Sequence, residues 1–246
     1  MSAILLGKPF TPTYHHKPYP AIDPTRPELS AKDKVVVITG GGQGIGRATA
    51  RSFAKANAKA IVIIGRTERS LLDTKAEIEQ ITGLTTVRVH VGDVTNENAI
   101  QNIFASVKQE FGEIDVLVSN AGYLPTLGPI ASEDPDDVWK AFEINVKGAF
   151  NVVRAFLGAA SPNATIINVS SGVVHLTLPG SQAYSTSKAA VLTWLGFVQG
   201  ENESMRVVSV HPGVIESAMS IKSGTPAEDD GKFKYFSSLY TISHSS

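Results

Sequence analysis

The chain contains no cysteine, which excludes disulfides and every metal site built on thiolates. It also fits a reducing compartment such as the cytoplasm. No apolar run approaches the ~20 residues that a membrane-spanning helix needs. The first eight residues carry a short apolar patch without a basic lead, so they do not read as a signal peptide. The charge is almost balanced, with a net of −1 and a pI near 6.6. Nothing in that balance favours a nucleic acid or an anionic membrane as partner. The six histidines show no ligand spacing, and the adjacent His15 and His16 read as solvated. What remains is a chain of 246 residues, long for one domain but ordinary for a large α/β sheet.

Proline is unevenly spread. Six of the thirteen fall in residues 1–33: Pro9, Pro12, Pro18, Pro20, Pro24 and Pro27. That density opposes helix and central strand. Residues 1–33 read either as an extended arm anchored by Phe10, Tyr14 and Tyr19 or as a disordered tail.

From residue 34 the pattern changes. Short β-branched runs at 34–39, 61–64, 86–91, 114–118, 165–169 and 207–210 predict strands. Between them, apolar spacing predicts helices over 47–56, 70–80, 96–111, 135–157 and 182 to about 198. Strands alternating with helices require crossovers, hence a parallel sheet covered on both faces. The expected fold is a single-domain, doubly wound α/β (Rossmann) sheet, with ligands beyond the carboxyl ends of its strands. Residues 34–219 form the expected domain, and residues 220–246 an irregular tail.

Two stretches carry chemistry. Gly40, Gly44 and Gly46 lie in a turn between the first strand and first helix. There glycines let the backbone approach a pyrophosphate, and the helix N-terminus favours its charge. Flexible loops are also glycine-rich, but the strand–turn–helix setting is what the mechanism requires. The second stretch is Tyr184 and Lys188, four residues apart on a predicted helix. An ammonium beside a phenol pulls its pKa down towards the range useful for proton transfer. Such a pair also arises by chance on many helices.

Together, Thr39-Gly40-x-x-x-Gly44-x-Gly46 and Tyr184-x-x-x-Lys188 resemble the short-chain dehydrogenase/reductase family. Further motifs keep the family order: Asp93-Val94, Asn120-Ala121-Gly122, Asn145, Ser170-Ser171 and Pro212-Gly213. The resemblance covers residues 34–219 and implies the following roles. Asp93 and Val94 contact adenine, and Ile45 belongs to the glycine turn. Asn120, Ala121 and Gly122 support the sheet and line the ribose side. Val214 and Ser217, after Pro212 and Gly213, meet the nicotinamide carboxamide. Tyr184 passes the proton, Lys188 lowers its pKa and holds the nicotinamide ribose, and Ser171, thirteen residues before Tyr184, steadies the substrate oxygen. Asn145 holds a water beside Lys188; a helix kink or a satisfied core amide is the plainer account of it.

After the second strand, Arg66 and Thr67 stand where a carboxylate would select NAD. A guanidinium there can pair with a 2′-phosphate, which favours NADP(H) over NAD(H). Glu68 weighs the other way. Tyr123, Val173, Val174, Leu176 and Leu178 predict an apolar substrate pocket for a carbonyl or alcohol. The expected activity is hydride transfer between NADP(H) and such a substrate, with no metal. Two readings compete with it: a dinucleotide-binding sensor or scaffold, and a dehydratase or epimerase. Relatives continue past the sixth strand to a seventh, and residues 237–242 are a marginal candidate for it. A chain lacking that strand would expose the sixth as an edge. A homodimer through the long helices remains compatible with this. Comparable arms occur in some fungal relatives, often of secondary metabolism.

Overall fold

Alternation along the first strand decides the layers. In a computed structural model of the chain, β1 (Val35–Thr39) lies inside a sheet covered on both faces, and all five of its residues are buried. Val35 and Val37 enter one apolar cluster, Val36 and Ile38 the other. The described residues are 15, 18–213, 215 and 217–222.

The other strands are β2 (Ala60–Gly65), β3 (Thr86–Val91), β4 (Ile114–Ser119), β5 (Ala160–Val169) and β6 (Arg206–Val210). Every pairing is parallel, and the spatial order is β3-β2-β1-β4-β5-β6. The chain moves outward from β1 to β3, then crosses back to lay β4 on the other side of β1. The loops leaving β1 and β4 therefore diverge and open a crevice at their carboxyl ends. This is the doubly wound sheet that the strand–helix alternation predicts.

Helices α1 (Gly44–Lys55) and α2 (Glu68–Ile81) cover one face through Ala50, Ala54, Leu71 and Ile78. The other face packs against α3 (Glu97–Phe111), α5 (Gly148–Leu157) and α6 (Gln182–Glu201), through Phe104, Val152, Phe156, Val191 and Leu195 among others. A short α4 (Pro135–Phe142) precedes α5, and α7 (Ala218–Lys222) ends the described chain.

Four details differ from the sequence reading. Helix α1 starts at Gly44 rather than Arg47, because the turn's own glycines form its first residues. Its end agrees with the sequence: Asn57 has φ +61° and breaks the helix. The long helix expected over 135–157 is two helices joined by a π-helical turn, Glu143–Lys147. Strand β5 begins five residues early, at Ala160, and its register against β4 slips between Ile114 and Val116, a bulge that hides the strand periodicity. Finally, the described part of the arm is not extended. It forms two single-turn 3₁₀ helices, Pro20–Ile22 and Pro27–Leu29, each opened by a proline whose missing N–H is no loss there. Tyr19 stacks on His15 at 3.9 Å but stays exposed, so it does not anchor the arm to the body.

Strand β6 is outermost on its side of the sheet among the described residues. Phe10, Tyr14, Val214 and the seventh-strand candidate at 237–242 lie outside them. Among the described residues no helix is long and apolar enough to cross a membrane.

Candidate active site

The crevice between β1 and β4 is tied from below. The Thr39 hydroxyl accepts from the amides of Asn120 and Ala121, both at 3.0 Å. The Asn120 side chain donates to the Thr39 carbonyl at 2.8 Å and to the Gly40 carbonyl at 3.3 Å. Asn120 is thus a strut that holds the two strand ends at a fixed separation.

The glycine turn sits on this strut. Gly40 has φ +66°, a conformation that disfavours any side chain. Gly46 faces the turn so closely that a Cβ there would stand 2.2 Å from the Gly40 carbonyl oxygen. The turn is also held from outside. Arg47 donates from Nη2 (2.6 Å) and Nε (3.1 Å) to the Gly42 carbonyl, and its Nη1 pairs with Glu77 at 3.1 Å. Ile45 packs against the core, and Ser217 lies beside Gly44, 3.7 Å from a Cβ placed there. The Ser217 hydroxyl accepts from the Ser220 amide at 3.1 Å. Pro212 and Gly213, at φ +86°, follow β6.

A cleft of about 150 Å³ opens above the turn. Gly40, Arg66, Thr67, Asp93, Val94, Ala121 and Gly122 line it, bringing together much of the predicted nucleotide set. Gly44, Gly46, Asn120, Pro212, Gly213 and Ser217 do not line it; Gly46 and Asn120 support it from behind. Sequence reasoning missed Ser70, Gly92 and Ile144 among the lining residues. Ser70 was within reach, because it falls one turn into the helix that follows Arg66 and Thr67. Burial alone would raise the Asp93 carboxyl. The Thr95 amide and hydroxyl and the charge of Arg66 outweigh it and hold the group below the usual range. The glycine cradle and its adjoining charged rim fit a dinucleotide phosphate.

The second cluster stands at the carboxyl ends of β4 and β5. Tyr184 is partly buried and hydrogen-bonded to Ser171, which caps the short turn after β5 and accepts from the Val173 amide at 3.4 Å. Lys188 is buried, with its ammonium 5.9 Å from the centre of the Tyr184 ring and donating to the Val169 carbonyl at 3.0 Å. Asn145 is buried in the π-helical turn. Its Oδ1 accepts from the Tyr123 amide at 2.7 Å, and its Nδ2 donates to the Tyr123 carbonyl at 2.9 Å and to Ser187 Oγ at 3.0 Å. A Cβ on Gly122 would lie 3.4 Å from both Asn145 Oδ1 and Lys188 Nζ, so the two side chains converge there. Ser170, the neighbour of Ser171, is buried, and its hydroxyl has no hydrogen-bond partner among the described residues.

The short chain dehydrogenase family model matches residues 34–228. The chain belongs to the short-chain dehydrogenase family. It is 38% identical over 210 residues to the short chain dehydrogenase pigC of Monascus ruber, an alignment covering 82% of this chain and 69% of that one. Among solved structures it resembles an NAD⁺-bound xylitol dehydrogenase, at 31% identity and TM-score 0.70, covering 74% of this chain and 70% of that one. It also resembles an alcohol dehydrogenase of Thermococcus sibiricus complexed with 5-hydroxy-NADP, at 27% identity and TM-score 0.68, covering 72% and 75%. The chain is therefore an oxidoreductase with a fold that binds a nicotinamide dinucleotide.

One electrostatic expectation is overturned in this dehydrogenase. Burial pushes the Tyr184 phenol above its ordinary pKa, with the Ser171 hydrogen bond pulling the other way. The Lys188 ammonium donates to the Val169 carbonyl rather than to the phenol. Lys188 is itself displaced, from 10.5 to about 8, by burial. Its folded pKa lies below its unfolded one, so between pH 8 and 10.5 the unfolded chain binds more protons. The burial penalty, roughly 3 kcal/mol, is full below pH 8 and lifts as pH rises through that window. The melting temperature of Lys188→Met relative to the parent is therefore expected to fall between pH 8 and 10. A difference that stays flat in calorimetry across that range would count against a depressed Lys188.

Proposed function

We propose that the chain is an NADP(H)-dependent reductase of apolar ketones or aldehydes. The observation that carries the reading is the buried Lys188 ammonium, 5.9 Å from the Tyr184 ring centre and converging with Asn145 at Gly122 beyond the carboxyl ends of the sheet. The nicotinamide, when bound, supplies or accepts the hydride. Tyr184 gives its proton to the carbonyl oxygen, and a raised phenol pKa keeps that proton on the oxygen at neutral pH. Ser171 donates a hydrogen bond to the same oxygen as charge gathers there. Lys188 keeps a positive charge close to the tyrosine and can hold the nicotinamide ribose. Asn145 fixes the backbone at Tyr123 and lies beside Lys188, where it can order a water for proton return. Gly40, Gly44, Ile45 and Gly46 would carry the pyrophosphate, Asp93 and Val94 the adenine, and Ser217 the carboxamide.

The choice of NADP(H) rests on Arg66 and Thr67. Arg66 is exposed on the cleft rim and makes no salt bridge among the described residues, so its guanidinium is free to pair with a 2′-phosphate. Ser70 adds a hydroxyl on the same rim. Arg66→Ala is expected to lower the preference for NADPH over NADH by roughly tenfold, the loss of one charge-assisted contact. Fluorescence titration with both cofactors reads the ratio directly, and an unchanged ratio removes Arg66 from the site.

Following NADPH absorbance across a panel of ketones and aldehydes tests the activity. No turnover, with cofactor binding that survives Tyr184→Phe, would favour a binding-only protein. We assign the catalytic unit to residues 34–219 and a homodimer to the face formed by α5 and α6. Phe150 and Trp194 meet there at 5.2 Å, and Phe197 is 67% exposed one turn further on. A monomeric mass in light scattering would refute the dimer.

A further inference from the structure

The segment from Tyr123 to Gly128 leaves β4 beside the Lys188 ammonium and crosses to the start of α6. It was expected to offer Tyr123 as an apolar lining group. Instead the Tyr123 hydroxyl donates to Asp137 Oδ1 at 2.5 Å, and the Thr126 amide donates to Asp137 Oδ2 at 2.7 Å. One carboxylate thus holds both the side chain and the backbone of the segment. That bond to Asp137, aided by burial and the carboxylate's charge, raises the Tyr123 phenol and keeps it a donor. The Lys140 ammonium lies 5.1 Å from the ring centre of Tyr123.

Both ends are fixed as well. Asn145 takes the Tyr123 amide and carbonyl. At the far end the Gly128 amide donates to the Gly180 carbonyl at 3.0 Å, and Gln182 Nε2 donates to the Gly128 carbonyl at 2.7 Å. Gln182 is two residues before Tyr184, and Gly180 closes the loop that begins at Ser171.

We infer that residues 123–128 are a strap that frames the substrate site in advance of binding, with Asp137 and Gln182 as positioning residues. This rests on the reductase reading above. The strap ties the loop that begins at Ser171 and the start of α6, the helix that carries Tyr184, into one rim. A rim already ordered costs less to organise around a carbonyl compound, so its contribution falls on substrate affinity rather than on the chemical step. The dinucleotide cleft lies on the other side of Gly122 and does not depend on Asp137.

Tyr123→Phe removes one hydroxyl and leaves the ring in place. With the carbonyl substrate found by the absorbance screen, it is expected to raise KM about tenfold, the effect of one hydrogen bond to a charged group. kcat and the NADPH dissociation constant should stay within about threefold. In hydrogen exchange, the Thr126 amide should exchange faster in Asp137→Ala, while amides of β1 and α1 keep their protection. Tyr123→Phe combined with Asp137→Ala should be no worse in KM than Asp137→Ala alone, because both substitutions break the same Tyr123–Asp137 bond. If KM and Thr126 exchange both stay at parental values, the strap is overturned. It is equally overturned if kcat and melting temperature fall together while KM holds. If the parent reduces no carbonyl, the reductase reading fails, and exchange at Thr126 alone decides whether the strap exists.

Discussion

Tyr184→Phe is expected to lower turnover by about three orders of magnitude, within the usual range for losing a positioned proton donor. The ring remains to fill its partly buried place on α6, and the lost hydroxyl is the one aimed at Ser171. Binding of NADP(H) should therefore change no more than a few-fold, and the fold should be untouched. That separation is the diagnostic feature: kcat falls, while cofactor titration and the melting curve do not. Ser171→Ala should fall short of it, because the proton source survives and only one hydrogen bond to the substrate oxygen is lost. Turnover by Tyr184→Phe within tenfold of the parent would remove Tyr184 from the proton path.

The second large effect is predicted at the other end of the site. Gly46→Ala places a methyl 2.2 Å from the Gly40 carbonyl oxygen, 2.8 Å from its carbon and 2.7 Å from Asn120 Nδ2. The first two are backbone, and Asn120 is the strut that spaces β1 and β4. Helix α1 must move away from the turn, or the turn must open. Overpacking of this kind costs about 1–3 kcal/mol of stability, and the displaced turn no longer presents its amides to a phosphate. Affinity for NADP(H) is expected to fall on the order of a hundredfold, equivalent to roughly 3 kcal/mol. Gly83→Ala is the matched control, since nothing lies within 4 Å of a Cβ there. If Gly46→Ala binds cofactor and melts like Gly83→Ala, the close approach of turn and helix does not govern binding.

The layers of the fold were legible because the strand runs are rich in β-branched residues, and the central β1 and β2 are buried on both faces. In such runs apolar residues cannot be avoided at either parity. Helix boundaries were less legible. The break between α4 and α5 leaves no mark in composition, since Glu143 to Lys147 still carry helical spacing; the break consists of a changed hydrogen-bond pattern. What fixes Asn145 there is its grip on the Tyr123 backbone, a contact between residues 22 apart. The sequence reading left open a helix kink or a satisfied core amide for Asn145, and the geometry contains both, beside Lys188.

Site residues divide in the same way. Gly40, Arg66, Asp93 and Gly122 were found through position, because each follows a strand and the parallel sheet gathers strand ends at one edge. Ser70 and Ile144 were missed because they reach the cleft from helices whose rotation no motif records. Tyr123 was named as a lining residue, but its hydroxyl bond to Asp137 was not legible. Its partner Asp137 stands in the first turn of α4, as does Asp136, and nothing local distinguishes the two.

The sequence by itself determined the alternation of strand and helix, the glycine turn after β1, and the spacing that sets Ser171, Tyr184 and Lys188 on one edge. These are local patterns, and local sterics and periodicity enforce them wherever the chain goes. Tertiary structure alone decided the direction of the Tyr184 pKa shift, the π-helical seat of Asn145 and the strap over residues 123–128. Each depends on which distant groups share a desolvated space: a carbonyl from β5 takes the Lys188 ammonium, and a carboxylate from α4 takes the Tyr123 hydroxyl. Burial and hydrogen-bond partners belong to the packed molecule, and no spacing along the chain encodes them.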